Sequence, residues 1–105
     1  PSALEPLCMH ASAADFASIR LMLAGAESMP SRLIGAVKIA APAAKLSNLY
    51  GPTECTICCV SIDVTNYDAD GVASVPIGKP GINQPCYVLD ASMRMCPVGV
   101  PGELV

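Results

Sequence analysis

Tyr50, Gly51, Pro52, Thr53 and Glu54 follow one another directly, and residues of these types in this order are suited to handling a phosphorylated ligand. A threonine hydroxyl donates to a phosphate oxygen. A carboxylate holds Mg²⁺, a hard cation that takes one or two carboxylates and completes its shell with substrate phosphates and water. A tyrosine ring offers a flat face on which a base can stack. Gly51 lets backbone come close to a ligand, and Pro52 presets the turn that presents the next two side chains. The same residues also suit a plain strand-to-helix turn, with Thr53 as N-cap and Glu54 in the first turn. Spacing alone leaves both readings open.

Such a turn needs elements to hold it. Arg20 to Ala24 is a short apolar run closed by Gly25, which predicts a buried parallel strand, with Asp15 capping a short helix before it. A helix is expected next, with Ser28 as cap, Pro30 in its first turn, a buried face of Leu33, Ile34, Val37 and Ile39 to Ala41, and Pro42 as its stop. Lys45 to Tyr50 predicts the second strand. Strand, helix and strand within about thirty residues make a right-handed βαβ unit, whose ligands lie beyond the carboxyl ends of the strands. The loop Gly25-Ala26-Glu27 therefore belongs beside the turn that starts at Tyr50. The β-branched stretch Thr56 to Val64 predicts a third strand, and Asn66 to Gly71 a polar loop. From Gly78 to Gly102, glycines and prolines punctuate short apolar runs, so the chain reads as α/β: a βαβ unit followed by a β-rich segment of short strands.

Composition narrows the function classes. The chain has 105 residues, 52% of them hydrophobic and 14% charged, so standing alone it would expose much apolar surface. It starts at Pro1 and stops within an apolar run at Val105, and it reads as a piece cut at both ends. A net charge of −3 with six scattered basic residues argues against nucleic acid as a partner. The longest apolar stretch, Leu33 to Ala44, is broken by Lys38 and Pro42 and falls short of the roughly 18 to 20 residues of a membrane span. No membrane partner is expected. The six cysteines lie mostly in apolar runs, as small buried hydrophobes do, which points to reduced thiols and a cytoplasmic location.

Other constellations are weaker. Cys55-Thr56-Ile57-Cys58 has redox or zinc spacing, but Cys58 sits in a β-branched run and only Cys59 is near as a further ligand. His10 has no acid or nucleophile close in sequence. Asp68 and Asp70 lack the alternating oxygen ligands of a calcium loop and read as solvated, as does Lys79.

Asn48-Leu49-Tyr50-Gly51-Pro52-Thr53-Glu54 resembles the core motif of adenylation domains of nonribosomal peptide synthetases, in the superfamily that includes acyl-CoA synthetases and luciferases. The resemblance runs in order from Ser18 to Glu27, through Val75-Pro76-Ile77-Gly78-Lys79-Pro80 and Tyr87-Val88-Leu89-Asp90, to Pro97 through Leu104. It implies that residues 1–105 are part of the large N-terminal subdomain of an adenylate-forming enzyme. The implied activity is ATP-dependent activation of an amino acid as its adenylate, with release of pyrophosphate. Transfer to a thiol follows, on the phosphopantetheine of a carrier-protein domain.

The resemblance makes Thr53 and Glu54 catalytic, with Glu54 as the Mg²⁺ ligand, and assigns nucleotide contacts to Gly25, Ala26, Glu27, Asn48, Tyr50, Gly51 and Thr53. It places Met22, Ala24, Leu49, Ile57 and Cys58 along the substrate side-chain pocket, which implies an uncharged, hydrophobic amino acid. Ala26 departs from the pattern, which more often has glycine there; alanine also keeps the approach open. A free-standing acyl- or aryl-CoA synthetase shares the turn's chemistry, and a noncatalytic nucleotide- or partner-binding member is a further alternative. The phosphate-binding loop, ribose-binding Asp and C-terminal lysine of the family lie outside this chain, so the piece alone should be inactive.

Overall fold

A computed structural model describes residues 1–105. Helix α1 (Leu4–His10) precedes strand β1 (Leu21–Ala24), helix α2 (Arg32–Ala40) and strand β2 (Lys45–Tyr50), and then come β3 (Val60–Asp63), β4 (Lys79–Pro80), β5 (Val88–Leu89) and β6 (Glu103–Leu104). The main sheet has the order β1-β2-β3-β4. β1 and β2 are parallel, with Ala24 opposite Asn48, and α2 is their crossover. β3 returns antiparallel to β2 and β4 antiparallel to β3, while β5 and β6 form a separate antiparallel pair. The α/β class, the βαβ unit and the β-rich second half are all as the sequence predicts.

α2 forms because its apolar residues repeat on one face: Leu33, Ile34, Val37 and Ala40 are all buried, and Arg32 and Lys38 face water. That face covers Met22 and Ala24 of β1 and Leu46 of β2, with Phe16, Met29, Val64 and Val75 closing the core. Each such aliphatic side chain contributes about 1.5 to 3 kcal/mol when fully buried. The opposite face of the sheet has no cover within this chain: Leu21 is 54% and Leu23 58% exposed. β1 is thus buried in alternation rather than throughout, as the pleat of a strand dictates.

Several boundaries differ from the sequence reading. Ile39 is 83% exposed, because two residues along a helix from buried Val37 is the opposite side. Pro30 lies outside the helix, bridged to Ser74, and the helix starts two residues later after Ser31, which caps it through backbone alone. Ser28 shares a hydrogen bond between hydroxyls with Ser74 at 2.7 Å instead of capping. Asp15 caps no helix. Its carboxylate accepts from the Ser12 backbone N–H and hydroxyl at 2.8 and 2.7 Å, closing a turn, and the helix lies upstream as α1.

The third strand is shorter than its β-branched run. Thr56 and Ile57 adopt φ 56° and 73°, a left-handed pair that no strand admits. The chain must reverse there so that Tyr50 faces Val60 in the antiparallel ladder, and this need overrides the local preference.

A carboxylate ties the end of β3 to β2. Asp63 Oδ1 accepts from the Thr65 N–H at 2.9 Å and hydroxyl at 2.6 Å, and Thr65 Oγ1 accepts the Leu46 N–H at 3.0 Å. The Thr65 hydroxyl and then its N–H hold the Asp63 carboxyl below its ordinary 3.8. A folded value lower than the unfolded one stabilises above the unfolded value and is lost as pH falls through the folded one. Asp63→Ala should therefore lower the unfolding temperature at pH 7, and the gap to the parent should narrow as the pH falls below about 3.8. A gap that stays constant across that range in thermal melts would refute the linkage.

Candidate nucleotide site

The carboxyl ends of β1 and β2 open on a cavity of ≈ 400 Å³, within the usual span of small-molecule sites. Three separate stretches wall it. Ala26, Glu27, Ser28 and Met29 follow β1; Asn48, Leu49, Tyr50, Gly51 and Pro52 close β2; Ser74, Val75 and Ile77 come from the loop before β4. The parallel pairing of Ala24 with Asn48 brings the first two together, as the βαβ reading expects.

Tyr50 stands at the rim of the cavity with its side chain partly in solvent, as a stacking face requires. Gly51 is needed by the chain itself: a Cβ there would lie 2.7 Å from the Ile57 carbonyl oxygen and 2.8 Å from the Cys58 Cα. The returning 57–59 backbone thus makes its own close approach at this glycine, which also lines the cavity. Gly25 closes β1 just short of the cavity wall. Ala26 lies in the left-handed region at φ 68°, where a Cβ costs about 1 to 2 kcal/mol. Conformational strain, in addition to room for a ligand, thus explains why glycine suits that position.

Asn48 is the one buried polar residue, 3% exposed, and its Nδ2 donates to the Pro76 carbonyl at 2.9 Å. Glu27 accepts from the Ser2 hydroxyl and from the Ser2 N–H at 2.9 Å, and these bonds hold its carboxyl below the usual range. Thr53 and Glu54 are exposed in a short 3₁₀ turn (Thr53–Cys55) immediately after Pro52, outside the cavity wall. No three His, Cys, Asp or Glu side chains gather as a metal centre. A lone exposed carboxylate of this kind fits Mg²⁺ brought in by a nucleotide, since the phosphates then complete the coordination.

The five apolar residues assigned to a substrate pocket are not brought together within this chain. Leu49 lines the cavity, Met22 and Ala24 point into the core against α2, Ile57 is 78% exposed, and Cys58 is half-buried. All six cysteines are free thiols. Burial pushes the Cys59 thiol up, assisted by its neighbours Cys86 and Cys58. His10 ends α1 in solvent, Lys79 is exposed on β4, and Asp68 accepts the Asp70 N–H at 3.1 Å in a local turn.

The sequence reading missed Ser28, Met29, Ser74, Val75 and Ile77 as cavity residues. The run Val75-Pro76-Ile77-Gly78 was part of the resemblance, but no local pattern says that it folds back over the strand ends.

The fold and the cavity define an α/β chain that presents a small-molecule site at the carboxyl ends of a parallel strand pair. The AMP-binding enzyme family matches residues 1–105, so the chain belongs to that family. It is 41% identical over 88 residues to the phosphinothricin tripeptide synthetase PhsB of Streptomyces viridochromogenes, covering 83% of this chain and 7% of that protein. Among solved structures, the nonribosomal peptide synthetase FmoA3 matches with a TM-score of 0.88 and 28% identity, over 99% of this chain and 11% of that one. The Vibrio cholerae adenylation domain AlmE, solved in complex with glycyl-adenosine-5'-phosphate, matches with a TM-score of 0.66 and 30% identity, over 81% of this chain and 16% of that one. The chain thus spans a small share of each protein it resembles.

Proposed function

We propose that the protein containing this chain activates an amino acid with Mg-ATP as its aminoacyl adenylate and passes the acyl group to a carrier-protein thiol. The observation that carries this reading is the cavity itself, where the turn from Asn48 to Pro52 meets the loop from Ala26 to Met29 at the strand ends. In the first step a substrate carboxylate oxygen bonds to the α-phosphorus of ATP, and the bond to the β-phosphate oxygen breaks, releasing pyrophosphate. In the second, a phosphopantetheine sulfur bonds to the acyl carbon, AMP leaves, and the thiol proton passes to solvent. Neither step needs a nucleophile from this chain, so its residues act by positioning and by stabilising charge.

Tyr50 stacks on adenine in this reading, the Thr53 hydroxyl donates to the α-phosphate, and the Glu54 carboxylate holds the Mg²⁺ that accompanies the triphosphate. The backbone of Gly25, Ala26 and Glu27 borders the base. An uncharged, hydrophobic substrate side chain belongs to this reading through the resemblance that assigns Met22, Ala24, Leu49, Ile57 and Cys58 to its pocket.

Pyrophosphate exchange on the full-length protein, with a panel of amino acids, tests the reading. Exchange that depends on a hydrophobic amino acid is the expected result. No such exchange, with a CoA thioester formed instead, would overturn it in favour of an acyl- or aryl-CoA synthetase. Failure of both would leave a noncatalytic binding protein. Glu54→Gln should lower exchange on the order of 10²-fold with an unchanged circular dichroism spectrum. Parent-like exchange in that variant would sink the metal role.

A further inference from the structure

Four of the six cysteines lie around one backbone reversal. Cys55, Cys58 and Cys59 belong to the turn that leaves β2 and returns into β3, and Cys86 stands just before β5. The strand after the return brings the distant one in. Pro80 of β4 pairs with Val60, the Gly81 N–H donates to the Cys59 carbonyl at 2.9 Å, and Gln84 Nε2 donates to the Cys58 carbonyl at 3.2 Å. The segment after β4 is thus strapped across residues 58–60. Two residues past Gln84, the Cys86 thiol donates to the Gln84 carbonyl at 3.7 Å, and it sits beside the Cys59 thiol, within hydrogen-bond reach. Both residues are half-buried, which leaves them open to a small solute.

Neither thiol takes part in the adenylation chemistry. Burial, and then the Cys86 thiol beside it, push the Cys59 thiol above its ordinary 9.0, so it keeps its proton at neutral pH. Such a thiol is slow to attack an oxidant itself and serves as the second partner, closing on a neighbour that has been oxidised first. What the pair controls lies one contact away. The Cys59 N–H donates to the Tyr50 carbonyl at 3.0 Å, and its thiol donates to the same oxygen at 3.7 Å. Gly51 packs so closely on this return that a Cβ there would lie 2.9 Å from the Cys59 nitrogen. A shift of Cys59 therefore passes into Gly51 and Pro52, which present Thr53 and Glu54.

We propose that Cys59 and Cys86 form a reversible disulfide under peroxide, and that this bond displaces the turn from Tyr50 to Glu54 and slows adenylate formation. The Cys86 thiolate attacks one peroxide oxygen, the O–O bond breaks, and the hydroxide that leaves takes up the Cys86 proton as water. The Cys59 sulfur then attacks the sulfenic sulfur, the S–O bond breaks, and a second water leaves with the Cys59 proton. Peroxide gains the two electrons that the two thiols lose. A disulfide bond is only about 2.05 Å long, so closure draws the two backbones together. The effect on adenylate formation rests on the proposed function; the pairing of the thiols does not.

The test treats the full-length protein with hydrogen peroxide, digests it without reduction and maps the peptides by mass spectrometry. Pyrophosphate exchange is measured before treatment, after it, and after dithiothreitol. A peptide pair linked through Cys59 and Cys86 is the expected result. Exchange should fall about tenfold or more, since misplacing a positioned group by ~1 Å costs on the order of 10²-fold, and the dithiol should restore it. Cys59→Ser and Cys86→Ser should each keep parent-like exchange before treatment and lose most of the sensitivity to peroxide. Cys86→Ser decides alone where Cys59→Ser does not fold. No linked pair, or a link from either cysteine to Cys55 or Cys58 instead, overturns the proposal. So does a linked form with full exchange, or a Cys86→Ser variant as sensitive as the parent. A linked pair in a protein that shows no amino-acid-dependent exchange even when reduced supports the pairing and sinks the adenylation reading.

Discussion

A Gly78→Ala variant of the intact protein is expected to lose both the local stability of the segment before β4 and most of its affinity for Mg-ATP. A Cβ at this position would lie 2.1 Å from the Ser61 carbonyl oxygen, 2.3 Å from its carbon and 2.7 Å from Ile62 Cβ. Two of those three atoms are backbone of β3, which is paired on its other side with β2, so they have little freedom to retreat. The residue also sits at φ 104°, where an L side chain is strained whatever the space. Overpacking of this kind typically costs about 1 to 3 kcal/mol and left-handed strain adds about 1 to 2 more. The least expensive relief is for the segment to lift off β3, which carries Ile77 away from the cavity. Hydrogen exchange should show faster exchange of the amides of Ile77, Lys79 and Gly81, and calorimetry should show weakened Mg-ATP binding. Parent-like exchange there would mean that the packing against Ser61 is not what holds the wall.

Leu33→Ala is expected to act differently. Leu33 is fully buried at 0% exposure on the inner face of α2, and its removal leaves a cavity between helix and sheet. Truncations of this kind cost about 2 to 5 kcal/mol. The loss falls on the crossover that fixes β1 beside β2, at a residue that does not line the cavity at the strand ends. Thermal melts should therefore show a clear drop in the unfolding temperature, while Mg-ATP affinity measured well below that temperature stays within about twofold of the parent. A large affinity loss at low temperature would show that α2 packing reaches the site. The two variants together separate what holds the domain up from what shapes its site.

The contrast matches what was legible in the amino-acid order. The βαβ unit was readable because each of its signals is local: the apolar runs at 21–24 and 45–50, the helical repeat of Leu33, Ile34 and Val37, and Pro42 beyond the helix. Two walls of the cavity were readable for the same reason, since they follow directly from the ends of those strands. The errors also had local causes. Ser28 and Pro30 have the residue types of a helix start, yet both are used by Ser74, forty-odd residues later. Thr56 and Ile57 have strand propensity, yet the reversal demanded by the pairing of Tyr50 with Val60 places them in a left-handed turn.

By itself, then, the sequence determined the α/β class, the crossover, and a phosphate-suited turn from Tyr50 to Glu54 set beside the loop from Gly25 to Glu27, because contiguous residues carry each of these. Only the tertiary structure decided that Gly51 is required by the chain's own 57–59 backbone, that Met22 and Ala24 turn into the core, and that Ser74, Val75 and Ile77 complete the cavity. Those facts rest on contacts between segments distant in the chain, such as Asn48 with Pro76. The free energy of such contacts appears only when the sheet has closed, and it leaves no periodicity or propensity along the chain to read.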